Sequence, residues 1–142
     1  MKYLIIGSKG FIGKNLFEYF QNSHDIIVWG ADIIFDLENL SNYFFLDSLN
    51  PDYNLLFNFE TFDVCINCSG AANVGDSLIN PLRDFQLNTL NVFKILDAIR
   101  TFQPTCKFIN LSSAAVYGNP VILPISESAL TLPLSPYGFH KM

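Results

Sequence analysis

The sequence opens with Met1-Lys-Tyr-Leu-Ile-Ile-Gly-Ser-Lys-Gly-Phe-Ile-Gly13, and this stretch decides the predicted fold. Its apolar run from Tyr3 to Ile6 favours a β-strand and is too short for a helix. Glycines follow directly at positions 7, 10 and 13, without a spacer. A strand that runs through such a turn into a helix is typical of a parallel α/β sheet.

The glycine turn, residues 7–13, is suited to bind a phosphate at the start of the helix that follows. Gly7 allows a sharp turn, Gly10 lets backbone N–H groups approach a pyrophosphate, and Gly13 lets the helix pack closely on the strand. The positive end of the helix dipole favours the same anion. The spacing departs from the G-x-G-x-x-G of the standard dinucleotide fingerprint, so an ordinary glycine-containing turn is the alternative interpretation.

Composition limits the class of protein. The chain has 142 residues, 50% of them hydrophobic, which predicts one domain with a single core. A net charge of −5 argues against a nucleic-acid or membrane partner, and no run resembles a signal peptide or membrane span, so we expect a cytoplasmic protein. The cysteines, Cys65, Cys68 and Cys106, are odd in number and are interpreted as buried structural thiols, with no metal site.

The rest of the chain alternates between predicted strands and helices, which indicates a doubly wound parallel sheet. After the first helix, which ends near Asn22-Ser23, strands are predicted at Ile26–Trp29, Ile33–Leu37, Phe62–Cys68 and Lys107–Leu111. A long helix is expected from Asn80-Pro81, with an apolar stripe of Leu82, Phe85, Thr89, Val92, Leu96 and Ile99. Residues 39–61 fit no period well, although residues 43–49 could form a helix.

Asp32 follows the second predicted strand, where an acidic residue can accept hydrogen bonds from ribose hydroxyls. A solvated carboxylate at the end of a strand is the alternative. A carboxylate repels a 2′-phosphate, whereas Lys9 would attract one. We therefore expect NAD as the cofactor, with NADP as the alternative.

Ser113, Tyr137 and Lys141 form a candidate catalytic group. Tyr137 and Lys141 are four residues apart and would share one face of a helix. A phenol has a pKa of about 10, and a neighbouring ammonium lowers it toward the range of a usable base. Ser113 follows the last predicted strand and could hold the same substrate oxygen. A surface Tyr–Lys pair is the alternative interpretation.

Together these segments resemble the extended short-chain dehydrogenase/reductase family of NAD-dependent nucleotide-sugar epimerases and dehydratases, in particular its UDP-galactose 4-epimerases. The segments that carry the resemblance are residues 7–13, Asp32, Asp36-Leu37, 67–72, Ser77, Asn80-Pro81, Asn88, 112–118 and 135–141. The resemblance implies that Ser113, Tyr137 and Lys141 are catalytic, and that Tyr137 and Lys141 also contact the cofactor. It implies further cofactor contacts from Gly7, Gly10, Phe11, Ile12, Gly13, Asp32, Asp36, Leu37, Cys68, Ser69, Gly70, Ala71 and Asn88.

The resemblance also implies a fold and an activity. The fold would be Rossmann-type, truncated before the last strands and the small substrate domain, so that 1–142 is an incomplete NAD(P)-binding domain without turnover of its own. The expected activity is epimerisation of a nucleotide sugar through transient oxidation, in polysaccharide biosynthesis, with a homodimer as the full-length form. A keto-sugar reductase and a non-catalytic dinucleotide-binding module are the alternatives. Ala114 and Ala115 stand where dehydratases carry Asp and Glu, which disfavours dehydration.

Overall fold

The computed structural model describes residues 1–36 and 40–142. They form two compact units, residues 1–69 with 93–111 and residues 70–92 with 112–142. The interpretation of 1–142 as one domain stays a prediction. In the described residues, no helix has the length and apolar character needed to cross a bilayer.

The first unit contains a five-stranded parallel sheet. Its strands are β1 (Lys2–Ile6), β2 (Ile27–Asp32), β3 (Tyr43–Phe45), β4 (Val64–Asn67) and β5 (Lys107–Asn110). Their order is β3-β2-β1-β4-β5, with β1 hydrogen-bonded to both β2 and β4. The chain adds β2 and β3 on one side of β1 and then β4 and β5 on the other side. Open α/β sheets bind ligands at the point where the strand order reverses in this way. The predicted fold class, a doubly wound parallel sheet, is confirmed.

The described residues form six α-helices. They are α1 (Phe11–Gln21), α2 (Tyr53–Phe59), α3 (Val74–Ile79), α4 (Pro81–Phe85), α5 (Asn91–Phe102) and α6 (Pro136–His140). A π turn at Gln86–Leu90 connects α4 to α5, and a 3-10 turn at Ala114–Tyr117 precedes α6 in the second unit.

The core of the first unit is apolar and tightly packed. Every residue of β4 is buried, as expected for a strand inside a parallel sheet. Leu4 on β1 and Ile95 on α5 are fully buried in the same cluster. Gln103, also buried, satisfies the backbone near α2: its amide nitrogen donates to Phe57 O at 2.6 Å, and its amide oxygen accepts from Phe62 N at 2.8 Å.

The third strand lies at a different place from the prediction. Residues 33–36 form no strand, and β3 is Tyr43–Phe45 instead, so the predictions of a strand at 33–37 and of a helix at 43–49 are wrong. The reason is local. The Asp32 side chain accepts a hydrogen bond from Ile34 N and turns the chain at the end of β2. Leu37 lies outside the described residues.

The predicted long helix is interrupted. Pro81 occupies its first turn as expected, but the π turn inserts extra chain and rotates the buried face. Leu82, Phe85 and Leu96 of the predicted stripe are exposed. The buried positions are Asp84 and Asn88 in the second unit, and Ile95, Ala98 and Ile99 in the first.

Candidate cofactor and catalytic sites

The glycine turn is held against the sheet by backbone contacts within the first unit. Gly7 N donates to Ala31 O at 2.8 Å, and Gly7 has a φ of +80°, which side chains rarely tolerate. A Cβ on Gly7 would lie 2.7 Å from Ser69 N, and one on Gly13 would overlap Gly7 O. These two glycines are required by the packing of the chain itself.

Gly10 differs, because a Cβ there would meet only Gly7 O, at 3.3 Å. Gly10 is the N-cap of α1, and no side chain caps that end of the helix. Phe11 and Ile12, the next two predicted cofactor contacts, are exposed. Open space beside an uncapped helix N-terminus fits the pyrophosphate of a dinucleotide.

Asp32 is buried at the end of β2 and fixes the glycine turn. One carboxylate oxygen accepts from Lys9 N at 2.8 Å, and the other accepts from Ile34 N at 3.1 Å. Each oxygen accepts one hydrogen bond from these donors and has a second lone pair. The carboxylate can therefore accept from ribose hydroxyls without giving up its structural role.

The resemblance implies that Asp36, at the end of the predicted strand 33–37, contacts the adenine of the cofactor. The structure instead shows its buried carboxylate in an ion pair with Lys9 Nζ. The residues that do follow the third strand are Leu46 and Asp47. Asp47 is exposed, and its carboxylate accepts from Leu49 N at 2.8 Å. By the logic used for Asp36, Asp47 is a candidate adenine contact that the sequence analysis missed, because Tyr43–Phe45 did not have a strand-like alternation.

Two more predicted cofactor contacts, Cys68 and Ser69, follow the carboxyl end of β4 in the first unit. Cys68 N donates to Ile6 O at 2.8 Å, which continues the pairing with β1. Asn67 Oδ1 accepts from both Ser69 N and Ser69 Oγ, at 3.1 and 2.6 Å. Cys68 and Ser69 therefore lie directly beside Gly7, as the close approach of Ser69 N to that glycine also shows.

The second unit brings the two predicted catalytic segments together. Ser113 Oγ accepts from Ala115 N at 3.2 Å and caps the 3-10 turn. A Cβ on Gly138 would lie 2.7 Å from Ala115 O, so α6 packs closely on this turn. Ser112 Oγ donates to Lys141 O at 2.7 Å and joins the segments again.

Tyr137 and Lys141 lie at the two ends of α6 in the second unit. Tyr137 is buried, and Lys141 N donates to Tyr137 O at 3.1 Å, so the two residues are one helical turn apart. Tyr137 N donates to Ser77 Oγ, and Ser135 Oγ accepts from Gly138 N, both at 3.1 Å. These bonds fix the start of α6 and hence the direction of the tyrosine.

Gly70, Asn88 and Lys141 lie close together in the second unit. Gly70 has a φ of +125°, and a Cβ there would overlap Asn88 Oδ1 and lie 3.4 Å from Lys141 Nζ. Asn88, in the π turn, is buried, and neither polar atom of its side chain has a hydrogen-bond partner in the described part of the chain. A buried amide without a hydrogen-bond partner is costly, and a ligand that supplied one would remove that cost, which suits the predicted contact of Asn88 with the cofactor. Ala71, the remaining predicted contact of this unit, is half-buried.

A second pair of side chains supports α6. His140 Nδ1 lies 2.6 Å from Asp84 Oδ1, and Asp84 is fully buried. Phe85 packs on the His140 ring with centroids 5.5 Å apart, and Thr89 Oγ1 donates to His140 O at 3.3 Å. The sequence did not reveal this pair, because 56 positions separate its members.

The model of the NAD-dependent epimerase/dehydratase family matches residues 3–142. The chain belongs to this family of enzymes. A predicted UDP-glucose 4-epimerase of Methanocaldococcus jannaschii is 30% identical over 142 residues, which cover 97% of this chain and 47% of the relative.

The chain is also similar to solved structures. UDP-glucuronic acid 4-epimerase from Bacillus cereus, in complex with UDP-glucuronic acid and NAD, is 28% identical with a TM-score of 0.83, over 99% of this chain and 49% of that one. The structure of RMD from Pseudomonas aeruginosa, complexed with NADPH, is 27% identical with a TM-score of 0.79, over 99% of this chain and 44% of that one. The chain thus spans about half the length of these relatives.

Proposed function

We propose that this chain supplies the cofactor-binding and proton-transfer residues of an NAD-dependent nucleotide-sugar epimerase. The observation that carries the proposal is the second unit, which places Tyr137 one helical turn from Lys141 and packs their helix on the turn capped by Ser113. The membership of the family and the UDP-sugar in a similar solved structure support this substrate class.

NAD fits the residues of the first unit. The pyrophosphate would lie beside Gly10 at the uncapped start of α1, and the adenosine ribose would donate hydrogen bonds to Asp32. When bound, NAD accepts a hydride from the sugar carbon and returns it. The remaining predicted contacts are Gly7, Phe11, Ile12, Gly13, Asp36, Cys68 and Ser69 in this unit, Leu37 outside the described residues, and Gly70, Ala71, Asn88, Tyr137 and Lys141 in the second unit.

The protein side of the reaction is a proton transfer. Tyr137 takes the proton of the sugar hydroxyl as that carbon is oxidised, and the Lys141 ammonium stabilises the phenolate. Ser113 Oγ accepts from Ala115 N, so its own hydrogen can be donated to the substrate oxygen. Reduction of the resulting keto sugar from its other face inverts the carbon, and Tyr137 returns the proton.

A keto-sugar reductase is the second candidate. Ser113, Tyr137 and Lys141 can run the same transfer in the opposite direction, and a similar structure holds NADPH. We further propose a cytoplasmic homodimer in polysaccharide biosynthesis, without nucleic-acid or membrane partners. On α5, Phe93 and Leu96 are exposed and share one helix face, which supports self-association. Light scattering would test the dimer.

Titration calorimetry with NAD tests the proposal. Gly10→Val should weaken binding by roughly 100-fold, because its branched side chain would fill the space left for the pyrophosphate. Gly75→Ala is the matched control, since its Cβ would meet only Asn73 Oδ1, at an ordinary 3.4 Å. Equal affinity of the Gly10→Val chain and the original chain, both folded by circular dichroism, would refute the cofactor site.

A further inference from the structure

We propose that Asp36 selects NAD over NADP by neutralising the Lys9 ammonium, an inference that rests on the proposed NAD site. Lys9 lies inside the glycine turn, immediately before Gly10. A lysine at this position would attract a 2′-phosphate if its charge were unpaired. The contacts around Lys9 show what opposes that attraction.

Both the backbone N–H and the side-chain ammonium of Lys9 contact acidic residues. Its backbone N–H donates to Asp32 Oδ2 at 2.8 Å, which fixes the main chain of the glycine turn. Its ammonium is ion-paired with Asp36 and lies 5.7 Å from the centre of the Tyr43 ring, a cation–π geometry. The Asp36 side chain is only 5% exposed, so water screens this pair much less than a surface pair.

Tyr43 forms one wall of this cluster. Its hydroxyl donates to Ile34 O, which holds the ring beside Lys9. Gly30 on β2 makes room for the ring, since a Cβ there would lie 2.9 Å from Tyr43 Cδ2. Burial, followed by the charges of Asp32 and Asp36, raises the pKa of Tyr43 to about 12. Tyr43 is therefore neutral at physiological pH and adds no charge to the cluster.

The charge of the cluster follows from its members. Asp32 and Asp36 contribute two negative charges and Lys9 one positive charge, which leaves one net negative charge. A phosphate monoester adds about 1.5 to 2 further negative charges near pH 7. The 2′-phosphate of NADP would be repelled, whereas the 2′-hydroxyl of NAD can donate to Asp32.

The variant Asp36→Asn separates the charge of the Asp36 side chain from its size and its hydrogen bonding. The variant keeps the size of the side chain and an oxygen that can accept from Lys9, but it removes one charge. The cluster becomes neutral and the ammonium becomes available to a phosphate. Calorimetric titrations should show the ratio of NADP affinity to NAD affinity rising about tenfold, an effect of about 1.4 kcal/mol. The gain should shrink as salt concentration rises.

Three further variants test whether the Lys9 ammonium causes the gain. Asp36→Asn/Lys9→Gln should lose the gain in relative NADP affinity, because the ammonium that produces it is gone. Asp97→Asn is the matched control, since it removes the same charge from α5, where Asp97 forms an ion pair with exposed Arg100. Asp36→Ser should show the same gain as Asp36→Asn and provides a second chain should one of them not fold.

The outcomes separate this inference from the proposed function. Failure of the original chain to bind NAD would overturn the proposed function. Binding of NAD together with an unchanged ratio of NADP affinity to NAD affinity in folded Asp36→Asn and Asp36→Ser would overturn the role of Asp36 alone. A gain that persists in the double variant would also overturn it, because Lys9 would not be its source.

Discussion

Cys68 differs from the other two cysteines in its surroundings, and this difference predicts its reactivity. Cys65 and Cys106 are buried; burial raises the pKa of Cys106 to about 11 and that of Cys65 well above its usual value. At pH 8 a thiol with a pKa of 11 is only about one part in a thousand thiolate, the reactive form. Iodoacetamide should therefore modify Cys68, which is half-buried at the end of β4.

NAD should slow the modification of Cys68, because this residue lies beside the glycine turn. Peptide mass spectrometry would follow both reactions, with Cys68→Ser as the unreactive control. Faster labelling of Cys106 than of Cys68 in the folded chain would contradict the expectation.

The raised pKa of Tyr43 predicts that the folding stability of the chain depends on pH. Its pKa is about 12 in the folded chain and about 10 when unfolded, so folding favours the protonated phenol. The corresponding stability is fully present below pH 10 and is lost as the pH rises from 10 to 12. Urea unfolding of Tyr43→Phe should show a smaller loss over this range than the original chain. Parallel losses would show that Tyr43 does not titrate in this way.

At the scale of elements, α6 depends on its surroundings, since a helix of five residues is not stable alone. His140→Ala would leave the buried Asp84 carboxylate without its 2.6 Å partner and should cost about 3 kcal/mol of unfolding free energy. The double variant Asp84→Leu/His140→Leu should cost less, because no buried charge remains.

Urea unfolding measures both variants. His24→Ala is the control, because His24 is an exposed histidine outside this pair and should change stability by less than about 0.5 kcal/mol. A loss in His140→Ala no larger than in the control would show that Asp84 finds another partner.

Some of these elements could be predicted from the sequence and others could not. The glycine turn and the Tyr137–Lys141 turn were predictable, because the residues that mark each of them are close together in the sequence. The third strand was not, because the exposed apolar residues Ile33, Ile34 and Phe35 imitate a buried strand. The Lys9–Asp36 and Asp84–His140 pairs join separate segments, and no local pattern marks such contacts.

For the whole molecule, the absence of two acidic groups predicts the type of product. Ala114 and Ala115 carry methyl groups, which cannot exchange protons, and losing a positioned acid or base typically costs about 10² to 10⁴ in rate. Hydride and proton transfer through Ser113, Tyr137 and Lys141 do not need them. The whole protein should therefore interconvert epimers or reduce a keto sugar, without forming a 4-keto-6-deoxy product.

Mass spectrometry of the products from a panel of nucleotide sugars distinguishes these reactions. Epimerisation leaves the mass unchanged, reduction adds two hydrogens, and dehydration removes one water. A product lighter by one water would require an acid and a base elsewhere in the protein.

The position of β5 affects how this chain behaves in concentrated solution. β5 pairs with β4 on one side, no described strand pairs with its other side, and Ile109 is 49% exposed. An edge strand has unpaired backbone N–H and C=O groups, which can pair with a strand of another molecule. Stored samples of the 142-residue chain should become turbid as concentration rises, and Ile109→Lys should delay the turbidity without lowering the unfolding temperature. Identical turbidity curves for the original chain and Ile109→Lys would show that the chains aggregate through a different surface. Purification would then need a substitution at that surface.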